Sequence, residues 1–568
     1  MIIRQMISCW CLKLFRIVTT LSFGEGAGVR SFVLYILIFI PMLLFTFSPA
    51  RSAEYQWAVK VKGYISPETN DNPEAFLWMP SDCGQVRAVV VGQHNMCEET
   101  IFAHPAFRRT MAELGIAVIW ITPGIDQQWD VRNGCQKVFD DMMKALADKS
   151  GYTELEHAPV VPLGHSAMAT FPWNFAAWNP KRTLAIISYH GDAPRTNLTG
   201  YGRENLEWGR NRNIDGIPGL MIEGEYEWWE ARVNPALAFR MMYPESCISF
   251  LCDAGHGHFD VSDEVVDYIS LFIKKAVQYR LPQNQSLDKQ AALIKVDNKQ
   301  GWLAERWHPE QQKRAKAAPF NNYKGNRHDA FWYFDKEIAD ATESYYTREW
   351  NKKPQYLGFT WQGSLLSFNP SSHAQYNVAD MRPATDGITY YLSATFTDSS
   401  RQRFSGAHAN TRISIDRICG PIKKINDTTF RVQFYRMGLN NNRRTNDVWL
   451  LAHNSGDAVY KSTVQQFNLK IAYPLTEGKR QAILFPAMSD VKKGAAPLKL
   501  KASTDSGLPV YYYVKEGPVT IDGDELIFTE IPPRAKFPVK VTVVAWQYGI
   551  KGKVQSAEPV ERFFYIKE

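Results

Sequence analysis

The stretch Gly164-His165-Ser166-Ala167-Met168 lies between an apolar segment, residues 158–163, and a helix-like segment, residues 169–178. A strand, a Gly-x-Ser turn and a helix in this order are typical of a nucleophile elbow, whose tight, strained turn lifts the serine hydroxyl above the edge of a sheet. Glycine suits position 164 because the backbones of strand and helix nearly touch there. Met168 stands where the pattern usually has a second glycine, so the surrounding sequence has to decide.

Continuous apolar strands alternate with amphipathic helices on both sides of the elbow. This alternation predicts a mostly parallel sheet covered on both faces, with the chemistry at the carboxyl ends of the strands. Ser166 follows such an end. The predicted strands are 86–92, 116–122, 158–163, 184–189, 219–223 and 248–251, and the predicted helices are 105–114, 134–148, 169–178 and 263–277.

On these motifs, residues 54–282 resemble an α/β-hydrolase domain, which covers about 40% of the chain. In that family a serine, then an aspartate or glutamate, then a histidine follow one another along the chain. The chemistry needs all three, because an imidazole must take the serine proton and a carboxylate must hold that imidazole in the correct tautomer. The resemblance therefore implies that Ser166 is a nucleophile.

Two histidines compete for the role of the base, His256 and His258. Both follow an apolar strand and precede the last predicted helix, where the family carries its histidine. We prefer His258, because Gly255-x-Gly257-His258-Phe259 resembles the glycine-rich approach to the family's histidine. His256 remains the alternative.

Several acids could complete the set. The resemblance places the acid three residues after a strand-ending glycine, which makes Glu227 the first choice. Glu225 is the rival and Glu230 a more distant one. Asp192, after Tyr189-His190-Gly191, is a further acid at a strand end. Glu227 and His258 lie 61 and 92 residues after Ser166, intervals that fit two or three strand–helix units.

The oxyanion hole requires backbone N–H donors aimed at the developing negative charge. We expect one donor from Ala167, the residue after the nucleophile. The other should come from the loop after the first predicted strand, where we favour Gln93. His94 and Asn95 are either substrate contacts or ordinary loop residues.

The N-terminal sequence predicts export. The apolar segment 32–47 is followed by Ser48-Pro49-Ala50, which resembles a secretory signal peptide, residues 1–50, with cleavage after Ala50. We therefore expect a secreted, periplasmic or cell-surface protein without a stable membrane span after cleavage. The net charge of +7 would fall to about +4 on cleavage, which does not suggest nucleic acid as a partner.

Six cysteines remain beyond residue 50, and an exported chain can pair them in disulfides. Their spacing matches no metal site, and we find no phosphate-binding glycine loop, so no metal or cofactor is predicted.

The rest of the chain predicts three further parts. Residues 283–350 form an aromatic-rich connecting segment, which we expect to pack on the hydrolase domain. Residues 355–475 alternate short β-rich runs with Asn/Gly/Ser turns, which predicts a β-sandwich. Residues 478–568 resemble an Ig-like β-sandwich of secreted polysaccharide-degrading enzymes. We expect this last part to bury its own core and to be dispensable for the chemistry.

This order of parts predicts a secreted serine hydrolase that cleaves an ester by an acyl-enzyme mechanism, with an ester on a polysaccharide as substrate. Four tryptophans near the elements of the triad, at positions 173, 178, 228 and 229, favour a sugar modestly. A serine peptidase of the prolyl or acyl-aminoacyl type is one alternative. A non-catalytic carbohydrate-binding protein on a hydrolase scaffold is another.

Overall fold

An eight-stranded sheet organises residues 54–282 in the computed structural model. Its strand order is β1-β2-β4-β3-β5-β6-β7-β8, and only β2 runs against the others. The strands are β1 (Trp57–Lys60), β2 (Glu74–Trp78), β3 (Ala88–Gln93), β4 (Ile116–Thr122), β5 (Val160–His165), β6 (Ile186–Tyr189), β7 (Pro218–Gly224) and β8 (Cys247–Asp253). The prediction of a mostly parallel sheet is confirmed.

The structure describes residues 54–194, 206–227, 230–284, 286, 288–309, 314–370 and 374–568. The predicted signal peptide, together with Trp228 and Trp229, lies outside them. Residues from 54 onward belong to one compact unit. Among the described residues, no helix is both long enough and apolar enough to cross a bilayer.

Helices cover both faces of the sheet. Successive residues of β3 alternate between two buried clusters. Val90 packs in the cluster that includes the helices of residues 105–114 and 263–280, and Val91 packs in the cluster that includes the helix of residues 135–150. The helices are α1 (Glu98–Ala103), α2 (Pro105–Leu114), α3 (Cys135–Ser150), α4 (Phe171–Trp178), α5 (Glu230–Met242), α6 (Asp263–Arg280) and α7 (Lys336–Thr347).

Local signals set the ends of two helices. Gly115 ends α2 with φ +66°, a left-handed conformation that glycine adopts at no steric cost. Ser262 begins α6, because its hydroxyl accepts the N–H of Val265. Helix α2 therefore ends just before β4, and α6 begins just after the loop that carries His258.

The aromatic-rich segment packs on the edge strand β8. The hydroxyl of Tyr333 donates to the carbonyl of Phe250 at 2.7 Å, and the Ser249 hydroxyl donates to the carbonyl of Trp332 at 2.5 Å. Both Tyr333 and Trp332 are buried. The expected packing of this segment on the α/β domain agrees with these contacts. Its strands are β9 (Trp302–Glu305), β10 (Ala318–Pro319) and β11 (Ala330–Tyr333).

Residues 355–475, called the sandwich segment below, form three β-sheets over a shared apolar cluster. The run 389–396, which reads as one strand, divides between two of them: β16 pairs with β20 and β17 pairs with β12. The strands are β12 (Tyr356–Trp361), β13 (Ser364–Leu365), β14 (Ser367–Phe368), β15 (Tyr376–Ala379), β16 (Thr389–Tyr391), β17 (Ser393–Thr397), β18 (Ser414–Cys419), β19 (Ile422–Asn426), β20 (Thr429–Val432), β21 (Asp447–Asn454) and β22 (Thr463–Lys470).

Residues 478–568, called the C-terminal segment below, do not bury a separate core, contrary to the sequence expectation. Most of their buried apolar side chains belong to the same cluster as Trp57 and Phe139 of the α/β domain, and Trp546 and Tyr548 belong to the cluster of the sandwich segment. The carboxylate of Glu516 accepts the N–H of Ala58 at 3.0 Å. The strands are β23 (Ile483–Leu484), β24 (Val491–Lys492), β25 (Leu498–Lys499), β26 (Ser503–Thr504), β27 (Tyr511–Glu516), β28 (Val519–Asp522), β29 (Glu525–Phe528), β30 (Val539–Trp546) and β31 (Val560–Lys567).

All six cysteines beyond residue 50 lie among the described residues as free, buried thiols. The disulfides that an exported chain would permit are therefore not formed in this structure.

Candidate active site

Ser166 occupies a strained turn at the carboxyl end of β5. Its φ is +52°, in the left-handed region that a non-glycine residue rarely adopts, and a short 3₁₀ turn leads from it into α4. A side chain at Gly164 would bring its Cβ to 2.0 Å from the carbonyl oxygen of Met168, so only glycine fits there. Met168 itself lies in the turn without conflict, which explains why the second glycine of the motif is unnecessary here.

His258 points its imidazole at the serine. Its Nε2 lies 2.8 Å from the Ser166 hydroxyl oxygen, within hydrogen-bond distance. Its side chain is fully buried and Ser166 is 5% exposed, so the pair lies in a site with little access for bulk water. The structure thus brings together the two residues that the sequence analysis preferred.

Glu227 completes the arrangement from the turn after β7. Its carboxylate bonds the Nδ1 of His258, the ring nitrogen opposite the one that faces Ser166. Burial disfavours its charged form, but the nearby His258, His190 and Arg232 outweigh burial and hold the pKa of Glu227 well below its usual range. Glu227 is therefore ionised, the state that orients an imidazole and stabilises an imidazolium.

Glu225, the rival acid, contacts neither member of the pair in the described structure. One of its carboxylate oxygens accepts the N–H of Gly255 at 2.7 Å, and the other lies 2.9 Å from the ammonium group of Lys461. Glu230 pairs instead with Arg306 at 2.8 Å. The geometry favours Glu227 over both.

His256, the rival base, has a different partner. Its Nδ1 lies 2.7 Å from the carboxylate of Asp260. Burial opposes protonation, but Asp253 and Asp260 outweigh it and raise the pKa of His256 to about 9. A histidine that keeps its proton at neutral pH cannot take one from serine, so the geometry and the charge both favour His258 as the base.

The structure gives only part of the geometry required of the two predicted oxyanion donors, Ala167 and Gln93. Ala167 follows Ser166 at the start of the 3₁₀ turn, where backbone N–H groups have no acceptor within the turn. Gln93 is the last residue of β3, in register with Ile121, and its side chain accepts the N–H groups of Ile125 and Asp126. These two bonds hold the loop that contains Ile125 and Asp126. The oxyanion roles of Gln93 and Ala167 stay predictions.

Glu98 is a residue that the sequence analysis missed. Its side chain is fully buried, and one oxygen accepts the N–H of His165 at 2.9 Å. The other accepts the N–H groups of Asn95 at 3.1 Å and Met96 at 2.9 Å. One carboxylate therefore joins the loop after β3 to the residue before the nucleophile. Glu98-Glu99 reads in sequence as an ordinary acidic first turn of a helix, which gave no signal.

Two further histidines hold the backbone of His258. Its carbonyl oxygen lies 3.0 Å from Nε2 of His165 and 2.7 Å from Nδ1 of His190. A carbonyl can only accept, so both ring nitrogens donate, and in a neutral ring this fixes the tautomer. Burial, followed by the charges of His258 and His190, lowers the pKa of His165 well below its usual range, so His165 is neutral.

His190 lies between two carboxylates. Its Nδ1 is 3.4 Å from Glu227 and its Nε2 is 3.7 Å from Asp253. Burial opposes its protonation, but these two acids outweigh burial and raise the pKa of His190. The sequence analysis names His190 only as a neighbour of Asp192, because the sequence pattern does not show which face of the turn the His190 side chain occupies.

Asp192, the fourth candidate acid, belongs to the surroundings of the triad. It is buried and lies 3.5 Å from Arg232. Arg232 in turn lies 3.5 Å from Glu227. The guanidinium of Arg232 therefore lies between the carboxylates of Asp192 and Glu227.

One group of possible metal ligands lies in the aromatic-rich segment of the described chain, formed by Glu305, His308 and Asp329. Asp329 is already bonded to Arg306 at 2.7 Å and to His308 at 2.8 Å. The guanidinium of Arg306 thus already balances the charge of the Asp329 carboxylate.

Solved structures with a likeness to this chain include serine hydrolases and esterases. The fluorophosphonate-binding serine hydrolase FphF of Staphylococcus aureus, with substrate bound, aligns at 12% identity over 39% of this chain and 97% of its own, with a TM-score of 0.28. Est1E from Butyrivibrio proteoclasticus aligns at 15% identity over 39% and 99%, with a TM-score of 0.26. An S-formylglutathione hydrolase from Agrobacterium tumefaciens aligns at 13% identity over 40% and 96%, with a TM-score of 0.28.

No protein-family model matches the chain, and no curated protein sequence matches it. The strand order of the sheet and the elbow after β5, both observed directly in this structure, define an α/β-hydrolase-like fold for residues 54–282. The Ser166, His258 and Glu227 side chains have the geometry of a catalytic triad.

Proposed function

We propose that the protein is a serine ester hydrolase that works through an acyl-enzyme. One observation carries this proposal: Nε2 of His258 lies 2.8 Å from the hydroxyl of Ser166 while its Nδ1 bonds Glu227. A strained serine, an aligned imidazole and an ionised, buried carboxylate together supply what the first step requires. An intact set of serine, histidine and carboxylate also disfavours the alternative of a non-catalytic carbohydrate-binding protein.

The steps follow from these positions. As the Ser166 oxygen attacks the ester carbonyl, its proton passes to Nε2 of His258, and Glu227 stabilises the imidazolium. The tetrahedral intermediate collapses when His258 gives this proton to the departing alcohol oxygen. Water then attacks the acyl-enzyme, with His258 as base, and Ser166 regains its proton when the acid leaves. We expect the N–H of Ala167 to bond the oxyanion in both halves of the reaction.

For the substrate class we propose an ester carried by a polysaccharide, hydrolysed outside the cytoplasm. The signal-like N-terminus and the β-rich segments after the α/β domain support this narrower proposal. The tryptophan argument is weaker than the sequence suggested: Trp173 is fully buried and donates its Nε1–H to the carbonyl of Asp192, and Trp178 lies against the guanidinium of Arg212. Trp173 is therefore a core residue and does not contact a sugar.

Covalent labelling tests the nucleophile. A fluorophosphonate probe should label the wild-type protein on Ser166, and Ser166→Ala should abolish labelling and lower kcat for p-nitrophenyl acetate by about 10⁴-fold or more. Ser270→Ala is the matched control, because Ser270 is also buried but lies in α6. Peptide mapping that finds the probe on another serine would contradict the assignment.

A substrate panel tests the class. Acetylated, methylated and feruloylated polysaccharides are compared with peptide p-nitroanilides, using wild type and Ser166→Ala. Release of acetate, methanol or ferulate that depends on Ser166 supports the polysaccharide-ester proposal. Cleavage of the anilides alone would move the protein to the peptidase class.

A further inference from the structure

The sandwich segment touches the loop that carries His258. The N–H of Phe259, the next residue, donates to Oε1 of Gln466 at 2.8 Å, and Gln466 lies on β22. The amide nitrogen of Gln466 donates to the carbonyl of Ala374 at 2.7 Å. These two bonds fix which end of the amide faces Phe259, and the side chain is buried.

The glycines of this loop show how closely the two parts approach. A Cβ added at Gly257 would lie 2.9 Å from the amide nitrogen of Gln466. One added at Gly255 would lie 2.0 Å from the hydroxyl oxygen of Ser462. Side chains at these two glycines would therefore press against Ser462 and Gln466 of the sandwich segment, and Gly255 also has φ +82°, which favours glycine.

Further contacts join the same surfaces. The Tyr226 hydroxyl donates to the carbonyl of Ser462 at 3.0 Å, and Lys461 pairs with Glu225 at 2.9 Å. The ring of Phe259 meets Trp449 edge-on, with centroids 4.8 Å apart. The sandwich segment thus contacts the turn of Glu227 as well as the loop of His258.

The loop on the other side of the nucleophile is held in the same way. Arg444 donates to the carbonyl of Asn95 at 2.7 Å, and Arg417 pairs with Glu99 at 3.0 Å. The Thr100 hydroxyl donates to the carbonyl of Ile418 at 2.6 Å. The sandwich segment therefore contacts both regions that flank Ser166, the one that follows β3 and the loop of His258.

We propose that Gln466 is a positioning residue for His258, so that the sandwich segment is part of the catalytic unit. Gln466 contacts neither Ser166 nor the imidazole, and it acts through the backbone of Phe259. A catalytic side chain must be held to within about 0.5 Å of its productive position, and a misplacement of about 1 Å costs on the order of a hundredfold in rate. The inference rests on the proposed serine hydrolase function.

The test compares two neighbouring glutamines of β22. Gln466→Met keeps the side-chain volume and removes the acceptor for Phe259. Gln465→Met is the matched control, since Gln465 is equally buried but donates to the carbonyl of Gln375. We expect Gln466→Met to lower kcat for p-nitrophenyl acetate and the rate of fluorophosphonate labelling by about tenfold to a hundredfold, with KM within about threefold. Gln465→Met should stay within about twofold in kcat.

A conservative variant separates positioning from general stability. Gln466→Glu in its protonated form, which burial favours, keeps an oxygen for the Phe259 N–H and an O–H donor for the carbonyl of Ala374, so it should recover most of the kcat that Gln466→Met loses. Equal kcat losses in Gln465→Met and Gln466→Met, or unchanged labelling of Gln466→Met, would overturn the inference. Failure of the wild type to label at Ser166 would instead overturn the proposed function.

A measurement on the unaltered protein covers the case in which Gln466→Met does not fold. The amide of Phe259 should exchange its hydrogen as slowly as the amides of the β21–β22 ladder, because its acceptor is buried. Exchange as fast as that of exposed loops would show that the bond to Gln466 does not hold this loop, and the inference would fall.

Discussion

Oε1 of Glu98 accepts the backbone N–H of His165 at 2.9 Å, one residue before the nucleophile. The other carboxylate oxygen accepts two N–H groups of the loop after β3, those of Asn95 and Met96. An ionised carboxylate accepts freely at both oxygens, whereas a protonated one carries an O–H that competes with these N–H donors. Glu98 therefore ties the residue before Ser166 to the loop after β3 without touching Ser166 itself.

Replacing Glu98 by glutamine should disturb the elbow. The new NH₂ group would face either His165 or the pair Asn95 and Met96, and in both cases two donors would meet. We expect Glu98→Gln to lower kcat by at least about tenfold, since an unmet buried polar group costs roughly 1–3 kcal/mol. Glu154→Gln is the control, because Glu154 is also buried and accepts a backbone N–H, that of Val86 at 3.0 Å, away from Ser166. Equal activity of the two variants would contradict this role.

Glu98 should also shape the acid side of the pH profile. Burial raises the pKa of Glu98 to about 7, so its ionised form is lost as the pH falls below that value. His258 must also be unprotonated to act as base. We therefore expect log kcat/KM to fall with a slope near two at low pH, where two protons bind. A slope of one would show that Glu98 remains ionised or that its charge does not matter.

Glu227 and Glu225 can be separated by a matched pair of substitutions. Glu227→Gln removes the charge that stabilises the imidazolium and should lower kcat by about 10³- to 10⁴-fold. Glu225→Gln alters only contacts to Gly255 and Lys461 and should cost less than about tenfold. Steady-state kinetics on a soluble ester decides between them. The reverse order would transfer the acid role to Glu225.

The pair of His256 and Asp260 predicts a pH dependence of stability. The pKa of His256 is raised to about 9 in the folded protein, above the value of about 6.5 expected when it is unfolded. Its contribution is therefore fully present below about pH 6.5 and is lost as the pH rises through 9. Urea unfolding should show a free energy of unfolding that decreases over this window. In His256→Gln the decrease should be smaller, and an unchanged decrease would contradict the assignment.

The C-terminal segment should be needed for a stable protein. Deleting residues 477–568 would expose the cluster around Trp57 and Phe139 and break the ion pairs of Glu516 with Lys149 and of Arg534 with Glu154. We expect the shortened chain to melt at a clearly lower temperature or to aggregate. A soluble shortened chain with the wild-type melting temperature and full activity would show that the shared core contributes little.

Sequence patterns predicted the central strands well, because parallel strands buried on both faces read as continuous apolar runs. Strand β4 and helix α2 begin and end where the pattern places them. The strands β1 and β2, which lie at one end of the sheet, were missed because they are short and flanked by polar turns. The run 389–396 divides between two sheets, which its uniformly β-rich composition does not reveal.

The triad was predictable because its residues follow strand ends in a fixed chain order. The residues around it were not. Glu98 acts on backbone N–H groups, and His190 acts on a carbonyl, so neither leaves a side-chain pattern in the sequence. Gln466 lies 207 residues from its partner Phe259, and no local spacing reveals such a contact.

That separation of 207 residues has a consequence for synthesis. A chain that grows from its N-terminus presents Ser166 and His258 long before Gln466 exists. Until β22 emerges and folds, the loop of His258 lacks the strand that contacts it. If Gln466 positions His258 as proposed, the chain reaches full activity only after most of it has been made.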